Sequence, residues 1–572
     1  INGNQKKDLN LQKEYLELKK GTAIQNSDIF SGIQLGWERY RQGADIQNTI
    51  NSIISNYDIL HPEKSVDALL KVYGQLKLIP EDQLIQYKKQ QVQKIIVACL
   101  GLWLEPVAEK DMVANGDNLN IVSTSLKRVD YPLSLESITI LGKEYKSGEI
   151  LPAGINQIDS FKIVVPEGIS SSPYWLNGAY DGVFNVEDRK LIGKAENDPA
   201  IIFTYNVKVG NEIFAINRGV VYKETDAVKG EIYTPLAVVP RAIVHADSYN
   251  LIYTDSLSKN FPLLIKSYAS DTIAGNVRLF GNRANISSKA YTLNKNGESA
   301  TLNFTITPPK QNGTKDIGLN ISGNNENETL GESAKKIRVI SYDHIPRQVV
   351  VEDAKLHVVK FDAMPSTKKV LYIDGAGDLV DESLKQIGVN ITTIKPEDMN
   401  AALLQQYDVA IIGVRAFNTS KVLADNNAQL MEFVNAGGTV IAQYSTNWDM
   451  YLEKIGPYNF KITRTRVTDE NSPVEFLLPE HKVLNNPNKI TQDDFTGWVQ
   501  ERGIYFAGEL APEYVAPLAF TDPNEQPQNG SLIIAQYGKG TFMYTGLAFF
   551  RELPAGVAGA YRLMLNMIEY KP

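Results

Sequence analysis

The residues best suited to chemistry lie in the last third of the chain, directly after short apolar runs that predict strands. Asp378, Arg415 and Asn418 follow the runs 370–373 and 408–414, and Gln443 lies at the end of the run 439–444. Ligands of open parallel α/β sheets bind beyond the carboxyl ends of the strands, where such side chains converge. The spacing therefore predicts a polar ligand site at one sheet edge. The alternative is that these residues cap helices and tie loops.

A second group of charged residues lies in the long stretch after residue 444. It comprises Arg464, Arg466, Glu470, Arg502 and Arg551. An arginine guanidinium presents a fork of donors that binds carboxylates and phosphates bidentately. We expect these side chains to line an anion or sugar pocket. The alternative is a buried arginine–glutamate network that holds long loops together.

Nucleophiles and metal ligands are missing from this pattern. A hydrolase or amidotransferase on such a sheet needs a cysteine or serine on a sharp elbow with flanking glycines. Ser445 has no neighbouring glycine, and the single cysteine, Cys99, lies far away in sequence. The five histidines lack the i, i+4 spacing of a helical metal pair. Gly375-Ala376-Gly377 opens like a dinucleotide fingerprint but lacks its third glycine. The sequence predicts no catalytic residue, no metal site and no cofactor in this chain.

The composition is that of a globular protein, with 43% hydrophobic and 22% charged residues. The 66 acidic and 58 basic residues give a net charge of -8, which argues against nucleic-acid binding. One cysteine excludes a disulfide framework. No run reaches the ~18 apolar residues of a membrane helix, so we expect no transmembrane segment. Because the chain begins at Ile1 rather than Met, we expect that a preceding segment has been removed.

The 572 residues predict three or four domains. The first is helical over 1–112, with one helix at Asn10–Lys20 and another through Lys88–Leu104. Alternating runs separated by Gly, Pro, Asn and Asp then predict tandem antiparallel, immunoglobulin-like β-sandwiches over 113–232 and 233–365, with one large sandwich as the alternative. Alternating strands and helices over 366–572 predict an α/β domain with a flavodoxin-like parallel sheet.

Several longer motifs occur in one order along the chain. They are Phe30–Gly32 with Trp37–Arg39, Gly101–Glu105, Pro173–Leu176, Gly375–Asp378, Gly413–Asn418, Arg464–Glu470, Asp494–Trp498, Gln500–Phe506 and Phe549–Leu563. With these motifs, nearly the whole chain resembles the C-terminal accessory region of large bacterial deacetylases of the PIG-L (LmbE-like) family.

The resemblance implies NEW3-like β-sandwiches and a class I glutamine-amidotransferase-like domain behind a zinc-dependent, N-acetylglucosamine-type deacetylase domain. The family's catalytic signature is His-Pro-Asp-Asp-Glu with a later histidine. The only His-Pro here, His61-Pro62, is followed by Glu63-Lys64, so no catalytic residue can be carried over. Zinc is expected only in the missing deacetylase domain. The resemblance also implies a periplasmic or secreted protein at the outer surface of a bacterium.

Three hypotheses about function remain. The first is a non-catalytic accessory region that binds a glycan or a cell-envelope protein and positions the missing deacetylase domain. The second is a cryptic hydrolase or ligand-binding activity in the α/β domain, with a pocket formed by Asp378, Arg415, Gln443, Arg466, Glu470 and Arg502. The third is a structural assembly module of the cell envelope.

Overall fold

A computed structural model describes residues 19–20, 34, 36–178, 182–281, 287–323 and 331–572. Over these residues the chain is multidomain and rich in β-strands. Its contacts divide it into two compact units. Unit 1 comprises residues 1–240, 268–270 and 338–351, and unit 2 comprises 241–267, 271–337 and 352–572. The predicted helix Asn10–Lys20 lies outside the described residues apart from its last two positions.

Unit 1 begins with three helices, α1 (Gly43–Ser55), α2 (Val66–Lys77) and α3 (Gln83–Cys99). Asp82 caps α3, because its carboxylate accepts a hydrogen bond from the amide of Ile85 at 2.8 Å. The apolar stripes of the three helices face a common core.

The end of α3 differs from the sequence prediction. Gly101 is left-handed, with φ of 55°. Its amide and that of Leu102 donate to the carbonyls of Ala98 and Val97, which is the Schellman arrangement that ends helices. The prediction of a helix through Leu104 was therefore wrong, and the strands begin before residue 113.

Eleven strands follow in the described part of unit 1: β1 (Trp103–Ala108), β2 (Met112–Ala114), β3 (Asn118–Leu126), β4 (Leu133–Ile140), β5 (Lys143–Ile150), β6 (Gln157–Val164), β7 (Ile202–Val209), β8 (Glu212–Gly219), β9 (Val221–Asp226), β10 (Gly230–Pro235) and β11 (Ala237–Val239). They form sheets of order β10-β9-β1-β3-β6 and β5-β4-β7-β8, with β11 beside β2. Burial alternates along β3 and β7, and the buried side chains share one core with the three helices.

A second group of strands comprises β12 (Ala242–His245), β13 (Asn250–Tyr253), β14 (Lys259–Ser267), β15 (Ile273–Phe280), β16 (Ser287–Leu293), β17 (Ser299–Ile306), β18 (Gly313–Gly323), β19 (Glu332–Ser333), β20 (Lys335–Tyr342), β21 (Ile345–Asp353) and β22 (Lys355–Lys360). The sheets β12-β14-β17 and β13-β22-β18-β15-β16 enclose a core that includes Phe261, Phe304 and Leu356, all in unit 2. β19 pairs with β18, and β20 pairs with β21, in which residues 338–351 belong to unit 1. The two groups of strands therefore build separate cores.

The rest of unit 2 alternates strands and helices: β23 (Lys369–Ile373), α4 (Val380–Gln386), β24 (Asn390–Ile394), α5 (Ala401–Leu404), β25 (Val409–Ile412), α6 (Ala416–Thr419), α7 (Lys421–Asp425), α8 (Asn427–Ala436), β26 (Thr439–Gln443), β27 (Lys461–Ile462), β28 (Arg466–Val467), β29 (Val474–Phe476), α9 (Lys482–Asn485), β30 (Gly503–Ile504), β31 (Ala507–Gly508), β32 (Leu518–Phe520), β33 (Gln528–Asn529), β34 (Leu532–Tyr537), β35 (Gly540–Thr545), α10 (Phe549–Ala555) and α11 (Ala558–Glu569).

One sheet of order β24-β23-β25-β26-β35-β34 organises this region. Its neighbouring strands run parallel except for β34, which is antiparallel to β35. Val370 and Tyr372 point into one core, and Leu371 and Ile373 into the other. Because both faces are buried, these strands are continuously apolar. The polar residues that follow them lie at the carboxyl edge of the sheet.

Candidate functional site

Asp378 and Gln443, predicted from different strands, meet at a buried tyrosine. Tyr372 donates its hydroxyl hydrogen to the Asp378 carboxylate, with oxygen–oxygen distances of 2.6 and 2.8 Å. Gln443, only 2% exposed, donates from Nε2 to the same hydroxyl oxygen at 2.9 Å. Burial, and then the charge of Asp378, raise the pKa of Tyr372 far above its ordinary value. The phenol therefore stays protonated and locks the ends of β23 and β26 together.

The crevice beside Asp378 is filled by the chain itself. A Cβ on Gly375 would lie 2.3 Å from the carbonyl oxygen of Val414, so the ends of β23 and β25 touch there. The Asp378 carboxylate also accepts hydrogen bonds from the amides of Val380 at 3.0 Å and Val414 at 3.2 Å. Amides arranged in this way commonly bind anions. Here both amides donate to the carboxylate of Asp378 instead of an external anion. The Gly-Ala-Gly-Asp segment therefore has a structural role at this crevice.

Asn418 ties the loop after β26 to α6. Its Nδ2 donates to Thr446 Oγ1 at 2.8 Å and to the carbonyl of Trp448 at 2.9 Å, and its Oδ1 accepts from the Thr446 amide at 2.9 Å. All of its polar capacity is directed at this loop. Asn418 therefore positions Trp448.

Arg502 is buried in a box of aromatic rings. It is 3% exposed, and its guanidinium carbon lies 5.4 to 5.9 Å from the ring centres of Phe495, Trp498 and Phe520. It donates to the carbonyls of Phe495 at 2.5 Å and Ser472 at 2.9 Å. Burial lowers its pKa to about 10, against the opposing charges of acids that include Glu470. Arg502 matches the structural alternative, an arginine that holds loops together.

Arg466 lies on β28 with an exposed side chain. Near it, Asp522 connects two loops by hydrogen bonds. The Asp522 carboxylate accepts hydrogen bonds from the amides of Thr468 and Asp469 at 2.8 to 3.0 Å. Burial alone would raise the pKa of Asp522, but these hydrogen bonds and the charge of Arg466 lower it. Arg466 and the half-buried Glu470 thus flank a structural turn, while Arg415, Arg464 and Arg551 belong to a different group.

Those three arginines surround four aromatic rings at the same end of the sheet. We define the aromatic–arginine cluster as Tyr444, Trp448, Tyr505, Phe550, Arg415, Arg464, Arg551 and Glu501. The rings of Tyr444 and Tyr505 stack with centres 5.6 Å apart and an interplanar angle of 16°. Phe550 lies 5.3 Å from Tyr444, and Trp448 meets Tyr505 edge-on at 5.5 Å.

The charged members are distributed around these rings. The Arg464 guanidinium carbon lies 5.5 Å from the centre of the Trp448 ring, and that of Arg551 lies 4.8 Å from Phe550. Arg551 Nε also pairs with Glu501 Oε1 at 3.3 Å. Burial raises the pKa of Tyr444, and the charges of Arg415 and then Arg551 oppose that shift. Aromatic faces, cationic donors and one carboxylate therefore share this part of unit 2.

The backbone around the cluster adopts unfavourable conformations. Arg415, Asp449, Gln500 and Tyr505 all have positive φ, at 57°, 54°, 73° and 62°. Each such residue costs free energy unless surrounding contacts impose it, and such residues concentrate at ligand sites. Trp448, next to Asp449, keeps 46% of its surface exposed.

Sequence reasoning did not select Tyr444, Trp448, Tyr505, Phe550 or Glu501 as site residues. Tyr444 directly follows Gln443, and Phe550 directly precedes Arg551, so adjacency to selected residues was a usable signal. Trp448 and Tyr505 are not next to any selected residue in the sequence. They meet only because Asn418 holds the loop that carries Trp448.

The described residues contain no group of three His, Cys, Asp or Glu side chains placed to hold a metal ion. His61, in the only His-Pro segment of the sequence, lies 3.2 Å from Glu63 and belongs to no such group. Ser445, the residue at the end of β26 that could have been a nucleophile, is 1% exposed. No described helix is long and apolar enough to cross a membrane.

Comparison with known proteins yields partial structural likenesses. No family model matches the chain. No curated protein matches it either. Among solved structures it is similar to a β-galactosidase from Rahnella sp. R3, with 15% identity, 35% of this chain and 31% of that one covered, and a TM-score of 0.23. It is also similar to red sea bream transglutaminase, with 10% identity, 50% and 34% coverage, and a TM-score of 0.23.

A third likeness is to an exo-β-1,4-mannosidase from Opitutaceae bacterium strain TAV5, with 10% identity, 36% and 37% coverage, and a TM-score of 0.23. The chain thus spans 31 to 37% of the length of these three proteins. At these TM-scores the likenesses carry no argument about function.

Proposed function

We propose that this chain is a non-catalytic, glycan-binding accessory region and that the aromatic–arginine cluster is its binding face. The observation that carries the proposal is the exposed indole of Trp448, which stands edge-on to Tyr505 with the Arg464 guanidinium 5.5 Å from its ring centre. Exposed tryptophan rings and arginine side chains are common anchors of binding surfaces.

The chemistry of the cluster matches that of a sugar. The apolar face of a pyranose ring packs on an indole or phenol ring, which offers a large rigid surface at small entropic cost. Sugar hydroxyls and amide carbonyls accept hydrogen bonds from the guanidiniums of Arg415 and Arg464. Glu501, with its side chain 16% exposed, supplies an acceptor for a sugar hydroxyl.

The distribution of the other polar residues favours binding over hydrolysis. Asp378 and Gln443 are engaged with Tyr372, and Arg502 donates to two backbone carbonyls. Arg415 belongs to the aromatic–arginine cluster, and Arg466 flanks the Asp522 turn. The six residues considered for a cryptic hydrolase are therefore divided among several structural roles rather than gathered around one reacting position.

The larger protein in this proposal is a periplasmic or secreted deacetylase of the PIG-L (LmbE-like) type, whose zinc lies in a separate domain. The strand order β24-β23-β25-β26 supports a flavodoxin-like, amidotransferase-like assignment for the sheet. In that fold, as here, the first strand along the chain lies between the second and the third. The separate cores of the two strand groups support tandem NEW3-like sandwiches. The accessory region would hold a glycan for the deacetylase domain.

Isothermal titration calorimetry of the whole chain tests the binding proposal. The probes are an N-acetylglucosamine tetramer and a glucose tetramer. We expect binding of the first at micromolar to millimolar concentration, and at least a tenfold loss of affinity in Trp448→Ala. Trp175→Ala, an aromatic deletion in unit 1, is the matched control and should bind like the wild type. Equal affinity in Trp448→Ala and the wild type, or no binding of either tetramer, would overturn the proposal.

A further inference from the structure

Unit 1 contains a pocket that the proposed function does not use. Its volume is about 600 Å³, and it lies between the C-terminal half of α3, the Gly101–Trp103 turn, Arg128 and the end of β8. Pockets for small ligands commonly measure ~300–1,000 Å³. A mono- or disaccharide fits this volume.

The charges that line the pocket have one sign. Lys94, Arg128 and Arg218 line it, and none of the lining residues is an aspartate or glutamate. This is a marked local excess in a chain with a net charge of -8. The side chains of Lys94 and Arg128 make no hydrogen bond or ion pair to any described residue. The side chain of Arg218 donates only to the carbonyl of Asn217, at 3.1 Å. Three clustered cations without carboxylates favour an anionic ligand.

The neutral lining residues add directional donors and an aromatic face. Asn217 Oδ1 accepts from Thr204 Oγ1 at 2.8 Å, which leaves its Nδ2 as a donor for a ligand. Gln93 Nε2 donates to the carbonyl of Ala215 at 2.9 Å, and this bond fixes the amide between α3 and β8. Trp103 exposes 45% of its surface at the rim. Amides and an indole beside cations suit a sugar that carries a charge.

The turn at the mouth of the pocket requires a glycine. Gly101 has φ of 55°, and a Cβ there would lie 2.8 Å from the Cβ of Arg128. The missing side chain lets the stem of Arg128 pack directly against the turn that ends α3. Arg128 and Trp103 both line the pocket beside this turn.

We propose that this pocket binds an anionic sugar. The carboxylate or phosphate of the ligand pairs with Lys94, Arg128 and Arg218, and its ring lies against Trp103. The site is independent of the aromatic–arginine cluster, which differs from it in carrying stacked tyrosines and Glu501. The two sites can therefore fail separately.

The test is calorimetric titration of the whole chain with glucuronate, glucose 6-phosphate and neutral glucose. We expect at least one anionic sugar to bind ten times more tightly than glucose, with affinity that falls as salt rises. The double variant Lys94→Gln, Arg128→Gln should lose at least tenfold in affinity. The matched control Lys71→Gln removes an exposed charge from α2, and Trp448→Ala alters only the other site, so both should bind as the wild type does.

The two anionic probes separate the possible sources of charge. Binding of glucuronate alone assigns a carboxylate sugar, and binding of glucose 6-phosphate alone assigns a phosphorylated one. Equal affinities for glucose and both anions would overturn the proposal. Absence of any binding, or an unchanged affinity in the double variant, would overturn it as well. Circular dichroism of each variant establishes that a loss of binding is not a loss of folding.

Discussion

Tyr372 on β23 donates its hydroxyl hydrogen to Asp378, six residues further along the chain, at 2.6 Å. The same oxygen accepts from Gln443, whose Oε1 is buried without a partner among the described residues. A single phenol therefore joins two strands through buried polar groups. In a poorly solvated interior, removing one member of such a network leaves the remaining polar groups without partners, which is costly.

Replacement of Tyr372 by phenylalanine should lower the free energy of unfolding by about 1–3 kcal/mol. The buried amide of Gln443 then keeps only its long contact to the carbonyl of Ile412, at 3.5 Å. Urea denaturation measures the change. Tyr407→Phe is the matched control, since the Tyr407 hydroxyl has no hydrogen bond to a described residue. We expect glycan binding to be retained in both variants. An unfolding midpoint equal to that of the wild type in Tyr372→Phe would contradict the role assigned to this network.

Arg415 combines a guanidinium whose charge acts on Tyr444 with a left-handed backbone at φ of 57°. Glycine adopts this conformation without the steric cost that a Cβ imposes, which is about 1–2 kcal/mol. Arg415→Gly should therefore be more stable than Arg415→Ala by about 1 kcal/mol. Both should lose the same share of glycan affinity, since both lack the guanidinium. Paired urea melts and titrations measure the two effects. If the alanine variant were the more stable, the strain at this residue would be disproved.

Glu552 links stability to pH. It is fully buried; its Oε2 accepts from the Val499 amide at 2.9 Å, and burial raises its pKa to about 8. An unfolded glutamate titrates near pH ~4.3. Between these values the folded chain keeps a proton that the unfolded chain releases. Stability therefore falls as pH rises through this window, by at most ~1.4 kcal/mol per pH unit.

The variant Glu552→Gln removes this titration. Relative to it, the wild type should lose at least ~1 kcal/mol of unfolding free energy between pH 5 and pH 8. Urea midpoints at the two pH values give the comparison, and the exposed Glu475→Gln serves as the control that should follow the wild type. Parallel profiles for the wild type and Glu552→Gln would mean that Glu552 is ionised in the folded state throughout this range.

The sequence by itself determined the local order of elements in the α/β region. Strands buried on both faces are apolar along most of their length, so β23 and β26 could be predicted from the sequence alone. The position of polar residues after such strands also placed Asp378 and Gln443 at one edge. The hydrogen bonds of their side chains could not be predicted from the sequence, because both side chains bond to the hydroxyl of Tyr372, which lies inside an apolar run.

Tertiary structure decided which charged residues are free to bind. Arg502 and Arg464 look alike in sequence, yet Arg502 is enclosed by Phe495, Trp498 and Phe520, while Arg464 lies over the exposed Trp448. Burial of a guanidinium requires rings and carbonyls from segments distant in sequence, and no local pattern specifies them. The end of α3 shows the same limit, because its apolar run continues to Leu104 but Gly101 turns the chain. The sequence thus determined elements and their order, and long-range packing decided which side chains form a site.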